Sequence, residues 1–277
     1  MKKILLPTDF SEVADYSLRY AANLAKKYNA EIVALYMIDR EDAFLTRQEA
    51  MQLFENIDYR KRIEQSFKDF LNKDYLSGIK VHTVIKRHVD FTRISELLEE
   101  LEIDLIVMGT HGAHGLGGMF FGSNAEKVVR TSKVPTLIVK MNRSSFKLDK
   151  VVLACDLDLE MTDAFEKASR FLKDNNLDFD IFYVNTPEDF MSTALMEKGI
   201  EKFSASLNDT EENISEKIIM YDDYNIEAGI YNYAKKVDAD LIVILTHGRK
   251  GLSKVIFNSY GEKMANQSAT PVLTVQA

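Results

Sequence analysis

VMGTHGAHGLGGMFFGSNAEKVVR, residues Val107–Arg130, decides how this chain of 277 residues is read. It begins inside the apolar run Asp104–Met108 (DLIVM), which is short and unbroken enough for a buried parallel strand. The run gives way to a glycine-rich loop, and helical periodicity returns at Ser123–Arg130. Two residues separate Gly109 from Gly112, nine separate Gly112 from Gly122, and Ser123 and Asn124 follow at once. A strand, a glycine loop and a Ser/Asn-capped helix together make an anion site. Backbone amides approach a phosphate where no Cβ intervenes, and the helix N-terminus adds the positive end of its dipole. Ser123 and Asn124 are both good N-cap types. No Gly-Lys-Ser/Thr follows, so this is not a P-loop, and the Gly-x-Gly-x-x-Gly dinucleotide fingerprint is absent too.

Outward from this stretch, strands alternate with helices. KILLP (Lys3–Pro7) reads as a strand, Val13–Tyr28 as a helix, EIVALYMID (Glu31–Asp39) as a second strand, and Arg47–Leu76 as a long charged segment of helical periodicity. VHTVIKR (Val81–Arg87) is a third strand, Ile94–Leu101 a helix, Asp104–Met108 the fourth strand, Ala125–Thr131 a helix and TLIVK (Thr136–Lys140) the fifth strand. Apolar strands alternating with helices predict a parallel sheet covered on both faces, with right-handed crossovers. After the polar linker Met141–Asp149 the pattern restarts. KVVLACD (Lys150–Asp156) repeats the character of KILLPTD (Lys3–Asp9). DLIVILTHGRKGL (Asp240–Leu252) matches DLIVMGTHGAHGL (Asp104–Leu116) at a constant offset of about 136 residues, whereas the first strands are offset by about 147. The second copy is therefore shorter by about a dozen residues, a loss expected in the long second helix. Two homologous domains, residues 1–141 and 150–277, make one chain.

Composition narrows the classes. The net charge of −8 disfavours a general nucleic-acid or anionic-membrane binder. The single cysteine, Cys155, cannot form an internal disulfide, which fits a reducing, cytoplasmic compartment. The apolar part of the N-terminus is too short for a signal peptide, and no run has the length of a membrane span. No nucleophile–base pair is evident, so no catalytic residue is assigned and hydrolysis of a bound nucleotide is at most slow.

PTDFS after the first strand, YMID closing the second, and the Gly-x2-Gly-x9-Gly-Ser-Asn loop after the fourth resemble the universal stress protein family, in a tandem form with two such domains. The resemblance covers essentially the whole chain. It implies two doubly wound α/β domains of the adenine nucleotide alpha hydrolase-like kind, each with a five-stranded parallel sheet. It also implies ATP binding over the carboxyl ends of the strands, in a stress-response protein that senses or signals nucleotide state. Carried over residue by residue, Asp9 reaches the ribose or adenine end, with Pro7 and Thr8 lining the same pocket. Met37 stands against the adenine with Met108 nearby, although methionines at such positions are more often core residues. Gly109, Gly112, Gly122, Ser123 and Asn124 hold ribose and phosphates. His111, His114 or Arg130 adds side-chain donors, and Mg²⁺ arrives with the nucleotide. Ordering of the Gly112–Gly122 loop is the expected coupling between binding and function.

The second copy departs from this pattern. Leu245 replaces Gly109 and Asn258 replaces Gly122, while Asp156 matches Asp9. A leucine there is expected to project into the loop, leaving the second site empty or altered, with Arg249 and Lys250 available to a smaller anion. In the family the fifth strands of two domains pair edge to edge. Thr136–Lys140 and Pro271–Val275 are positioned to do so within one chain, as a pseudo-dimer, with a homodimer as a further expectation. Two other functions remain open: a nucleotide-independent scaffold for a protein partner, and a weak ATPase.

Overall fold

The computed structural model describes residues 1–38, 57–87, 94–109, 123–139, 146–207, 214–246 and 270–276. In the first half these are β1 (Lys3–Pro7), α1 (Glu12–Tyr28), β2 (Glu31–Ile38), α2 (Ile57–Leu71), β3 (Val81–Arg87), α3 (Ile94–Glu100), β4 (Leu105–Gly109), α4 (Ser123–Thr131) and β5 (Thr136–Val139). The second half supplies β6 (Val151–Ala154), α5 (Thr162–Asp174), β7 (Phe179–Asn185), α6 (Thr193–Ser206), α7 (Ile214–Lys217), β8 (Ile218–Asp222), α8 (Ile226–Lys236), β9 (Leu241–Thr246) and β10 (Val272–Gln276). Each half is a doubly wound α/β unit, as the periodicity predicts.

The two sheets are continuous. The strand order is β3-β2-β1-β4-β5-β10-β9-β6-β7-β8. Every neighbouring pair runs parallel except β5 and β10, which are antiparallel with Leu137 opposite Leu273. Those two leucines occupy equivalent positions in the repeat, so a local two-fold axis passes between them, as in an isologous interface. Pairing the fifth strands within one chain removes two edges that would otherwise be open to association. Tyr28 and Asn175 are likewise equivalent positions, and the Tyr28 hydroxyl donates to the Asn175 carbonyl at 3.1 Å across the same junction.

Why these strands are buried on both faces follows from their sequences. Leu105, Val107, Leu241, Val243 and Leu245 face α1 and α5, whereas Ile106, Met108, Ile242 and Ile244 face α3, α4 and α8. The repeat extends to backbone conformation. Outside glycine, the described residues with positive φ fall into three equivalent pairs: Phe10 and Leu157 (62° and 58°), Asn29 and Asn176 (51° and 53°), and Glu102 and Asp238 (53° and 54°). It extends to side-chain bonds too. Asp104 Oδ2 accepts the amides of Lys2 and Lys3 at 2.6 and 2.9 Å. Its counterpart Asp240 accepts those of Asp149 and Lys150, both at 3.1 Å. Each carboxylate ties the start of its fourth strand to the start of its first.

The shortening of the second copy lies between its second strand and the end of the described helix that follows. The helices after the second strand are alike in length, 15 residues for α2 and 14 for α6. Residues 186–192 separate β7 from α6, against 39–56 between β2 and α2; residues 39–56, which include the Arg47–Asn56 part of the segment expected to shorten, lie outside the described residues.

Candidate functional site

In the first half the strand order reverses between β1 and β4, which leaves a crevice at their carboxyl ends. Three pieces of sequence meet at that edge. β1 ends there at Pro7, and Thr8 and Asp9 follow. β4 ends there at Gly109. Because β4 and β5 are parallel, α4 runs back against them, so Ser123 and Asn124 open the helix at the same edge.

The turn after β1 is built by its own residues. The Thr8 amide donates to the Leu35 carbonyl at 2.9 Å, and Thr8 Oγ1 accepts the Phe10 amide at 3.0 Å. Asp9 Oδ1 accepts the Ser11 amide at 3.0 Å, and Ser11 Oγ caps α1 by accepting from Ala14 at 3.3 Å. Phe10 pays for its left-handed backbone by packing: its ring stacks on Tyr36 at 5.1 Å and meets Phe67 edge-on at 5.0 Å. The outcome is that Thr8 is buried and the Asp9 carboxylate stands exposed at the crevice.

Of the other predicted site residues, Pro7, Met37 and Asn124 are half-buried. Met108 is 5% exposed and lies in the core beneath α3 and α4. His111, Gly112, Gly122, the alternative donor His114 and the loop they occupy lie outside the described residues. Arg130 stands at the far end of α4, about 10 Å along its axis from Ser123. There its guanidinium pairs with Glu126 at 2.8 Å, which takes it away from the helix N-terminus where phosphate donors are wanted.

Gly109 has a packing reason for being glycine. A Cβ there would meet Val13 Cγ1 at 2.3 Å and Ser17 Oγ at 3.3 Å. The missing side chain points at α1. The same direction overturns the expectation for its counterpart: Leu245 is fully buried and packs in the core with Met161 and Phe165 instead of projecting into the loop. The second copy opens its helix with the 3-10 turn Leu159–Met161 ahead of α5, where the first copy places Val13 in the first turn of α1. Asn258, Arg249 and Lys250 lie outside the described residues.

The described residues of the second half also enclose a cavity. It measures about 500 Å³ and lies at the carboxyl ends of β6 and β7, lined by Ala154, Asp156, Tyr183, Val184, Asp189 and Phe190 among others. Asp156 repeats the Asp9 turn, with Oδ1 accepting the Asp158 amide at 3.3 Å. Cys155, also on the lining, is buried, and that burial pushes its thiol up to about 12, which makes it a packing group and not a nucleophile. Asp189 and Phe190 carried no signal in the sequence, because they lie on a connection with no glycine spacing or repeat partner to mark it. Among the described residues, no group of three or more His, Cys, Asp or Glu is placed to hold a metal ion. Among the same residues no helix is long and apolar enough to cross a membrane.

A sequence model of the universal stress protein family matches the chain twice, over residues 1–140 and 147–276. A universal stress protein of Methanocaldococcus jannaschii is 34% identical over 140 residues, covering 50% of this chain and 82% of its own. One of Synechocystis is 24% identical over 302 residues and covers 99% of each chain. The crystal structure of a universal stress protein from Archaeoglobus fulgidus superposes on 99% of this chain and 96% of its own, with a TM-score of 0.68 at 23% identity. That last likeness is one of fold.

Proposed function

The chain belongs to the universal stress protein family, in a form that carries the domain twice, and on that premise we propose that its first half binds ATP. One observation carries the reading. The exposed Asp9 carboxylate, the end of β4 and the N-terminus of α4 meet at a single edge, at the strand-order reversal, with a half-buried Met37 at the end of the neighbouring strand. These groups fit the parts of the ligand. A carboxylate accepts from ribose hydroxyls, a thioether packs on a flat base, and helix amides receive phosphate. Mg²⁺ would come with the triphosphate, held mainly by its oxygens. On this reading residues 1–141 form the nucleotide domain and 150–277 a domain of altered specificity. The protein then works in the cytoplasm as a stress-response sensor of nucleotide state, with no dedicated catalytic group.

The test starts with the chain purified without added nucleotide. One portion is denatured and the released small molecules are identified by mass spectrometry, and a second portion, stripped of nucleotide, is titrated with ATP by calorimetry. About one ATP per chain is expected. Asp9→Asn should weaken binding about fivefold to tenfold through lost ribose hydrogen bonds, and Gly122→Val should abolish it. Two ATP per chain would extend the nucleotide to the second half. No ATP in either experiment would transfer the reading to a nucleotide-independent scaffold.

A further inference from the structure

Phe10 is the residue at which the Asp9 turn meets α2. Its backbone is left-handed, with φ at 62°, a conformation that strains a residue carrying a Cβ unless its surroundings over-determine it. The Phe10 amide donates to Thr8 Oγ1 and the Ser11 amide to Asp9 Oδ1. Rotation at Phe10 would carry the Ser11 amide away from the Asp9 carboxylate, so the aim of that carboxylate depends on Phe10 keeping its conformation.

Aromatic side chains hold the ring in place. It stacks on Tyr36 at 5.1 Å and meets Phe67 and Phe70 of α2 edge-on at 5.0 and 5.7 Å. Tyr36 directly precedes Met37 on β2, so the ring stands between two residues of the nucleotide reading. α2 is bound to the sheet through a small cluster of its own. Ile63 and Phe67 are buried there with Ala34, and Phe10, Tyr36 and Ile85 pack around them. Phe10 also packs against the main core that α1 covers, which makes it a member of both clusters. Docking of α2 and the shape of the turn are thereby linked equilibria, each supporting the other. The second half holds its helix differently. Leu157 has the place and conformation of Phe10, with φ at 58°, and Phe203 of α6 meets Phe165 of α5 edge-on at 5.3 Å.

We propose that Phe10 is a positioning residue for Asp9, and that α2, through Phe67 and Phe70, is the element that tunes the first-half site. The effect on ligand rests on the ATP reading above, whereas the link between α2 and the turn is measurable without ligand.

The test compares the full chain with Phe10→Gly, Phe10→Leu, Phe67→Ala and the double variant Phe10→Gly with Phe67→Ala. Each is titrated with ATP by calorimetry and followed without ligand by amide hydrogen exchange. Glycine adopts the left-handed backbone without strain but brings no ring, and leucine copies Leu157, so the two separate the ring from the backbone demand. All three single changes should weaken ATP about threefold to tenfold, the scale of aromatic pairs. In the Phe10→Gly background, Phe67→Ala should weaken it no further. Phe203→Leu, which removes the buried ring of α6, should lower the melting temperature and leave ATP affinity unchanged. Without ligand, Phe10→Gly should speed exchange of residues 58–71 about threefold and leave residues 193–206 as they are. Full ATP affinity in Phe10→Gly and Phe10→Leu, the same loss from Phe67→Ala in both backgrounds, an equal loss in Phe203→Leu, or unchanged exchange in α2 would each overturn the proposal. If the unsubstituted chain takes no ATP, the reading of the first half fails, and exchange in α2 decides the link by itself.

Discussion

Gly109 shows how one absent side chain serves two ends. In the sequence it opens the glycine-rich loop that is proposed to hold phosphate. In the fold its Cβ position is already taken by Val13 of α1, and a β-branched side chain in the first turn of a helix has little freedom to move aside. Gly109→Ala should therefore cost about 1–3 kcal/mol of stability by overpacking, with or without nucleotide. The double change Val13→Ala and Gly109→Ala should recover most of that loss in urea denaturation. Full loss in both variants would mean that the backbone, and not Val13, makes the demand. Leu245 makes the complementary point: identical strand register with a different first helical turn turns a side chain that looked obstructive into core.

Between elements, α1 is tied to the chain around the 3-10 turn Asp74–Leu76 by a polar cluster that the second copy lacks, since Thr162 stands in the place of Asp15. Asp15 takes Lys73 Nζ at 2.9 Å and the Tyr75 hydroxyl at 3.1 Å, while the Arg19 guanidinium lies 4.7 Å from the Tyr75 ring centre. Burial alone would raise the Asp15 carboxyl. Lys73, Tyr75 and Arg19 outweigh it and hold the group below its ordinary 3.8. A carboxyl with a lower value in the folded than in the unfolded chain stabilises the fold at pH above its unfolded value. That contribution fades as pH drops through the folded one. Asp15→Asn should flatten the acid limb of a melting-temperature profile below about pH 4, and cost about 1 kcal/mol near neutrality. An unchanged acid limb would assign it to other carboxylates.

At the scale of the molecule, the ten-stranded sheet hangs on one antiparallel junction. Leu137 and Leu273 face each other across it and are 3% and 2% exposed. Leu137→Ala and Leu273→Ala should each lower the unfolding free energy by about 2–4 kcal/mol, and by similar amounts, because they occupy equivalent places. Being in contact, they should combine non-additively in the double variant. Strict additivity by denaturant titration would count against direct coupling through this pair.

Much of this architecture is legible in the residues themselves. Alternation of apolar runs with helical periods, the repeat from Asp104 to Asp240, and the PTDFS and glycine-loop motifs specify two α/β domains and point to the edge where β1 and β4 end. These signals are local or recur at constant spacing, so one chain read linearly carries them. Tertiary packing decided the rest. Whether Leu245 blocks a loop or fills a core depends on the helix laid across it. The reach of Arg130 depends on which end of α4 it occupies. The second-half cavity depends on Asp156, Asp189 and Ile230 converging from three separate elements. No spacing along the chain encodes such convergence, because it arises only when α8 closes on β7 and the sheet sets the distance between them.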